Sequence, residues 1–197
     1  MVSDNITGPA PTMRDVPIES SGAGNYQTPP MAERAVEKLQ VLFADEGLEV
    51  HRFRDEVTVA VPRASIVDVC RFLRDDEELR YNYLSDLCGN DWPQRVPRFE
   101  VVYHLYSLVH FTRLRLKVFV PQHDCICPSV AGVWGTANWH ERETFDLFGI
   151  EFEGHPDLRR ILLPEEWEGH PLRQDYEIGW EEPEFTMRKI QRELAKG

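Results

Sequence analysis

Two runs of alternating apolar and polar residues, 98–108 and 111–120, constrain the fold of this 197-residue chain more than any other feature. In the second run Arg113, Arg115 and Lys117 fall on one side and Leu114, Leu116 and Val118 on the other, because successive strand residues point to opposite faces. A sheet built on these strands has one buried face and one that solvent can wet.

Other elements arrange themselves around that pair. Ala35, Val36, Leu39, Leu42 and Phe43 recur at helical spacing over residues 31–46, with Pro30 before them and Gly47 placed to stop the helix. Two β-branched runs, 49–53 and 57–61, flank Arg54-Asp55-Glu56 and predict a hairpin closed by Pro62. Ile66, Val69, Cys70 and Leu73 predict a second helix. Residues 81–88 alternate again and are expected to end in a turn at Gly89-Asn90-Asp91-Trp92-Pro93. Past Pro128 two short helices are expected, the second stopping at Gly149, with Ser129 and Asn138 as N-caps and Glu141 completing a capping box with Asn138.

This order is neither a βαβ alternation nor an all-β meander, so the expected class is α+β: one domain with a mixed, largely antiparallel sheet packed by helices. Residues 1–30, rich in Pro, Gly, Ser, Thr and Asn, predict a mobile extension. The domain is expected over 31–150, followed by an extended, partner-binding segment over 151–197. Pro164, Pro171 and Pro183 preclude one continuous helix in that tail, and residues 184–196 suggest a final short helix or frayed end.

A net charge of -12, without a clustered surplus of Lys and Arg, argues against nucleic acid as a partner and favours positively charged ones. No stretch approaches the ~20 apolar residues of a membrane-spanning helix. Cys70, Cys88, Cys125 and Cys127 form no CxxC pair, so Cys125-Ile126-Cys127 reads as two reduced thiols in a loop. No glycine-rich nucleotide loop, Walker pattern or nucleophile elbow is present. Neither organellar nor secretory leader character is visible at the N-terminus, which points to a bacterial cytoplasmic setting.

The densest mixture of charge, aromatics, Pro and Gly lies in residues 139–176. From 139 to 180 there are eleven Asp and Glu against four Arg and no Lys, so the segment favours basic partners, while its positive charges are all arginines, the side chain that makes planar, bidentate carboxylate pairs. Its aromatics, among them Trp139, Phe145, Phe148, Phe152, Trp167 and Tyr176, are of the type that anchors protein contacts, though Phe145 and Phe148 can equally complete the core. His140, His155 and His170 stand near Glu141, Glu143, Asp146 and Asp157, but no pair has the i, i+4 spacing of a helical metal site. His155 and His170, each before a proline, are expected to hydrogen-bond backbone or carboxylate. Glu141 and Glu143 point ~200° apart on a helix and cannot share a substrate. Glu143 and Asp146 share a face and call for Arg142, Arg159 or Arg160 as neutralising partners.

Within that segment stand Glu141-Arg142-Glu143, Phe145-Asp146-Leu147-Phe148-Gly149, Gly154-His155-Pro156-Asp157-Leu158-Arg159-Arg160-Ile161-Leu162 and Gly169-His170-Pro171-Leu172-Arg173. Their order and spacing resemble the C-subunit family of NADH-quinone oxidoreductase, respiratory complex I, over residues 32–180. The resemblance implies a structural subunit of the hydrophilic arm, at the cytoplasmic face of the bacterial plasma membrane, with no catalytic, cofactor or metal site of its own. Flavin and iron-sulfur clusters would belong to partner chains. The partners implied are the large quinone-site subunit and neighbouring iron-sulfur subunits, with one copy of this chain per assembly. The positions carried over as partner interface are Asp91, Trp92, Trp139, Glu141, Arg142, Glu143, Asp146, His155, Arg159, Arg160, His170, Arg173, Asp175 and Tyr176; Pro93, Gly149, Pro164, Gly169 and Pro171 match as well. Two alternatives stay open: the equivalent subunit of a membrane hydrogenase or other-donor dehydrogenase, and a stand-alone metal-dependent hydrolase.

Overall fold

In the computed structural model the described residues are 29–177. The expected extension up to residue 28, and the expected features around Pro183 and residues 184–196, lie outside them. Helix α1, Pro30–Leu42, turns Ala32, Ala35, Val36 and Leu39 inward. It tightens into a 3-10 turn at Ala44–Glu46 and stops at Gly47, whose φ of 70° is left-handed. The helix expected through residue 46 therefore ends in a narrower last turn.

Strands β1, Glu49–Phe53, and β2, Glu56–Ala60, form the expected hairpin, with Arg54 at positive φ in the turn. Helix α2, Ile66–Asp75, buries Ile66, Val69, Cys70 and Leu73. Strands β3 (Tyr83–Asp91), β4 (Phe99–Ser107) and β5 (Thr112–Val120) are consecutively antiparallel. The sheet order is β1-β2-β5-β4-β3, and β2 lies parallel to β5. The class is α+β and the sheet mixed but largely antiparallel. Burial alternates along β5, where Leu114, Leu116 and Val118 enter the core and Arg113, Arg115 and Lys117 take the opposite face.

Two expectations fail here. Of the turn foreseen at Gly89-Asn90-Asp91-Trp92-Pro93, the first three residues are strand, because each is used for pairing or close approach, and the chain turns only from Trp92, whose carbonyl accepts from Arg95 N. A Cβ on Gly89 would sit 2.9 Å from Phe148 Cδ2, so the glycine marks a helix crossing the sheet. Asn90 donates to Glu100 Oε1, and Asp91 receives Arg98. Past Pro128 there is one helix, α3 (Ala137–Phe148), preceded only by turns. Asn138 lies inside that helix, and Glu141 makes no capping box because its carboxylate faces Ser129 and Val130.

A small parallel pair was not foreseen. Strand β6, Ile126–Pro128, pairs with β7, Glu151–Glu153, so the packed domain runs on past residue 150. Cys127 lies buried in β6 and Cys125 just before it, and all four cysteines are free thiols.

Candidate functional site

Helix α3 ends in carbonyls that have no intrahelical donor. Gly149, at φ 69°, turns the chain away, and residues 154–177 return as an irregular hook that supplies the missing donors. His170 Nδ1 lies 2.9 Å from Asp146 O, which requires the proton on that nitrogen. Leu172 N donates to Leu147 O at 3.1 Å, and Arg173 Nε donates to Phe148 O at 2.6 Å. A guanidinium at this end also opposes the negative pole of the helix. A Cβ on Gly149 would meet the His170 ring at 2.5 Å and Arg173 Nη2 at 2.6 Å, so this glycine is required by space as well as by φ.

Asp146 is the anchor of the hook. Its side chain is fully buried; Oδ1 accepts from Arg160 Nη1 at 2.7 Å, and Oδ2 accepts from the amides of Ile161, Leu162 and Leu163 at 3.0, 2.8 and 2.9 Å. Burial alone would raise this carboxyl, but the Leu163 amide, the Arg160 guanidinium and the other two amides outweigh it and hold it below the usual carboxylate range. Arg160 Nη2 also donates to the carbonyls of Trp167 and Gly169, closing the loop between them. Arg142 donates to the carbonyls of Arg159 and Arg160.

A second clamp lies farther along. Arg98 donates in a bidentate fork to Asp91 at 2.6 and 2.7 Å and, through Nη1, to Asp175 at 2.8 Å. Gln174 N donates to the same Asp91 carboxylate. The Asp91 and Asp175 carboxyls are both depressed: for Asp91 burial opposes and Arg98 with the Gln174 amide prevails, while for Asp175 the Arg98 bond leads.

Glu141 is fully buried and has no cation within hydrogen-bond distance. Ser129 Oγ donates to Oε2 at 2.6 Å and Val130 N to Oε1 at 2.7 Å, while His155 Nε2 stays 4.0 Å away. Burial pushes this carboxyl up to about 7, against the pull of those two donors. His155 accepts from Asp157 N at Nδ1, so its Nε2–H donates to Asn138 O at 3.1 Å.

The positions expected at a partner interface thus divide by burial. Asp91, Glu141 and Asp146 are enclosed by their own chain and bind its own donors. Arg142, His155, Arg160, His170, Arg173 and Tyr176 are partly buried and hold the hook. Trp92, Trp139, Glu143, Arg159 and Asp175 are exposed, and the expected Glu143–Asp146 neighbourhood separates into one outward and one inward acid. Arg142 lies 5.3 Å over the exposed Trp139 ring. Sequence reading missed Arg98, which looked like the first residue of a strand; its partners stand 7 and 77 positions away. It also missed a group of Asp86, Cys88 and His104, the one cluster of three potential metal-ligating side chains among the described residues. None of the three histidines weighed for a metal site belongs to it.

The family model for the 30 kDa subunit of respiratory-chain NADH dehydrogenase matches residues 59–182, well over half of the chain. This chain belongs to that family. The C subunit of NADH-quinone oxidoreductase from Roseiflexus sp. (strain RS-1) is 54% identical over 154 residues, 78% of this chain and 88% of the relative. Its counterpart from Geobacter sulfurreducens is 52% identical over 151 residues, 75% of this chain and 92% of the relative. Among solved structures, the trypsin-resistant fragment 1-134 of Nqo5 aligns with a TM-score of 0.54 at 34% identity, covering 63% of this chain and 99% of the fragment. A chain from the membrane-bound sulfane sulfur reductase, an archaeal respiratory membrane complex, aligns with a TM-score of 0.60 at 23% identity over 83% of this chain and 91% of the other. That likeness speaks to the fold alone. The relatives of 54% and 52% identity are named as C subunits of NADH-quinone oxidoreductase, and no described helix of this chain is long and apolar enough to cross a membrane.

Proposed function

We propose that this chain is a structural subunit of the hydrophilic arm of NADH-quinone oxidoreductase, free of flavin and iron-sulfur cofactors and seated at the cytoplasmic face of the membrane. It supports electron transfer from NADH through flavin and iron-sulfur clusters held by other chains to quinone, coupled by the whole complex to proton translocation. Its partners are the large quinone-site subunit and neighbouring iron-sulfur subunits.

The observation that carries this reading is the hook itself. Its backbone is fixed by Arg98, Arg160 and Arg173, yet Leu162 and Leu172 on it, and Trp139 on the adjoining helix, remain 60%, 52% and 60% exposed. Rigid irregular backbone with large apolar side chains turned outward suits a preorganised interface, where little ordering entropy is lost on association. Glu143, Arg159 and Asp175 supply exposed charge and Trp92 a further exposed aromatic, and Arg142, His155, Arg160, His170, Arg173 and Tyr176 keep the hook's shape.

Purification of the membrane complex through a tag on this chain tests the reading. Co-purifying subunits that hold flavin and bind NADH, with NADH:quinone activity, support it. A nickel-binding large subunit without NADH oxidation would replace it with the hydrogenase alternative.

A further inference from the structure

The face of the sheet opposite the core carries a set of donors that the hook does not use. On β3 and β4, Asp86 stands opposite His104, and Cys88 follows two residues along the same strand and so on the same face. One carboxylate oxygen, the Cys88 sulfur and one imidazole nitrogen lie within 4.8 Å of one another. Among the described residues the histidines of the hook give their rings to backbone groups, whereas no such bond engages the ring of His104 or the thiol of Cys88. The Asp86 carboxylate has His140 Nδ1 at 3.6 Å.

We propose that Asp86, Cys88 and His104 are the three protein ligands of a site for a borderline divalent transition-metal ion of the zinc class, with the fourth position left to solvent. A mixed oxygen, sulfur and nitrogen set selects such an ion over magnesium or calcium, which require oxygen donors. Ligand bonds of ~2.0–2.3 Å in a tetrahedron need the donors somewhat closer together than they stand, a closure that side-chain rotation supplies. Cys88 and His104 are half-buried and Asp86 exposed, which leaves a path of entry. His140 stands in the outer shell of Asp86 at 3.6 Å, beyond hydrogen-bond distance.

Charge fits. Arg115 and Lys117 on the same face are already engaged, Arg115 with Glu56 and Lys117 with Glu100 at 3.1 Å, and a thiolate with a carboxylate offsets an incoming dication. Bound metal would tie the edge strand β3 to β4 at mid-length.

The test is titration of the full chain with Co2+ and competition with Zn2+, followed by absorbance and by the thermal unfolding midpoint. One equivalent of Co2+ is expected, with a thiolate-to-cobalt charge-transfer band in the near ultraviolet that Zn2+ bleaches. Cys88→Ser removes the band and the zinc-induced rise in midpoint, Cys125→Ser keeps both, and His140→Ala weakens binding by only ~10-fold. Circular dichroism of each variant confirms that the fold persists. Absence of stoichiometric binding by the folded chain, or a band that survives Cys88→Ser, overturns the proposal, as does a band lost in Cys125→Ser.

Discussion

Single residues set the pH response of this molecule, and two kinds of acid act with opposite sign. Glu141 is raised by burial from an ordinary 4.5 to about 7, so the folded chain binds a proton that the unfolded chain releases in that window. Stability from this group is therefore greatest below about pH 4.5 and falls as pH rises to about 7, by on the order of 3 kcal/mol at 1.36 kcal/mol per unit. Glu141→Gln keeps the acceptor for Val130 and removes the charge. It should raise the unfolding midpoint above pH 7.5 and leave it near that of the parent at pH 5, read by thermal melts across pH. Asp91 and Asp146 are depressed, so their contribution is present above the ordinary carboxylate pKa and lost as pH falls through their folded values. Glycines give a second contrast at this scale. Gly149 and Gly154 both sit at positive φ, 69° and 82°, but only Gly149 lacks room for a Cβ. Gly154→Ala should cost about 1 kcal/mol of strain and Gly149→Ala clearly more, since His170 and Arg173 must move off the helix end; urea unfolding separates the two.

At the scale of elements, the hook is a helix C-terminus satisfied from a distance. Removing Arg98 leaves the buried Asp91 carboxylate without its cation, so Arg98→Ala should cost about 3–5 kcal/mol. Asp175→Ala removes only the exposed end of the same cluster and should cost under about 1 kcal/mol. Equal losses in the two variants, measured by denaturant unfolding, would show that the cluster does not act as described. Arg160→Ala leaves the Trp167 and Gly169 carbonyls without their donor while the amides of residues 161–163 still cap Asp146. Limited proteolysis should accordingly cut within residues 158–170 faster, with the sheet intact. Much of this was legible in the chain: the period of two in β5, the apolar spacing of α1 and α2, and the turn at Arg54-Asp55 come from short-range sterics that one sequence displays. Gly89-Asn90-Asp91 misled because a glycine needed for helix approach looks the same as one needed for a turn. Glu141 misled because an acid three residues after Asn138 fits a cap, and only tertiary packing turns it toward Ser129.

For the whole molecule, the legible and illegible parts of the site follow the distance over which each bond is made. The hook residues could be picked out because they crowd one stretch of sequence. Their division into inward acids and outward aromatics could not, since burial of Asp91, Glu141 and Asp146 is settled by strands and loops up to 83 residues away. The group of Asp86, Cys88 and His104 was illegible for the same reason, being assembled across two strands. Central to the proposed role is a hook folded by its own chain and used by others. Its most direct test is recovery of partner subunits through a tagged chain carrying Trp139→Ala, Leu162→Ala and Leu172→Ala together, with the unfolding midpoint of that full chain measured in parallel. We predict a midpoint close to that of the parent and recovery reduced by at least ~10-fold, as truncation of exposed anchors should give. Undiminished recovery of the whole complex with the triple variant would contradict the account.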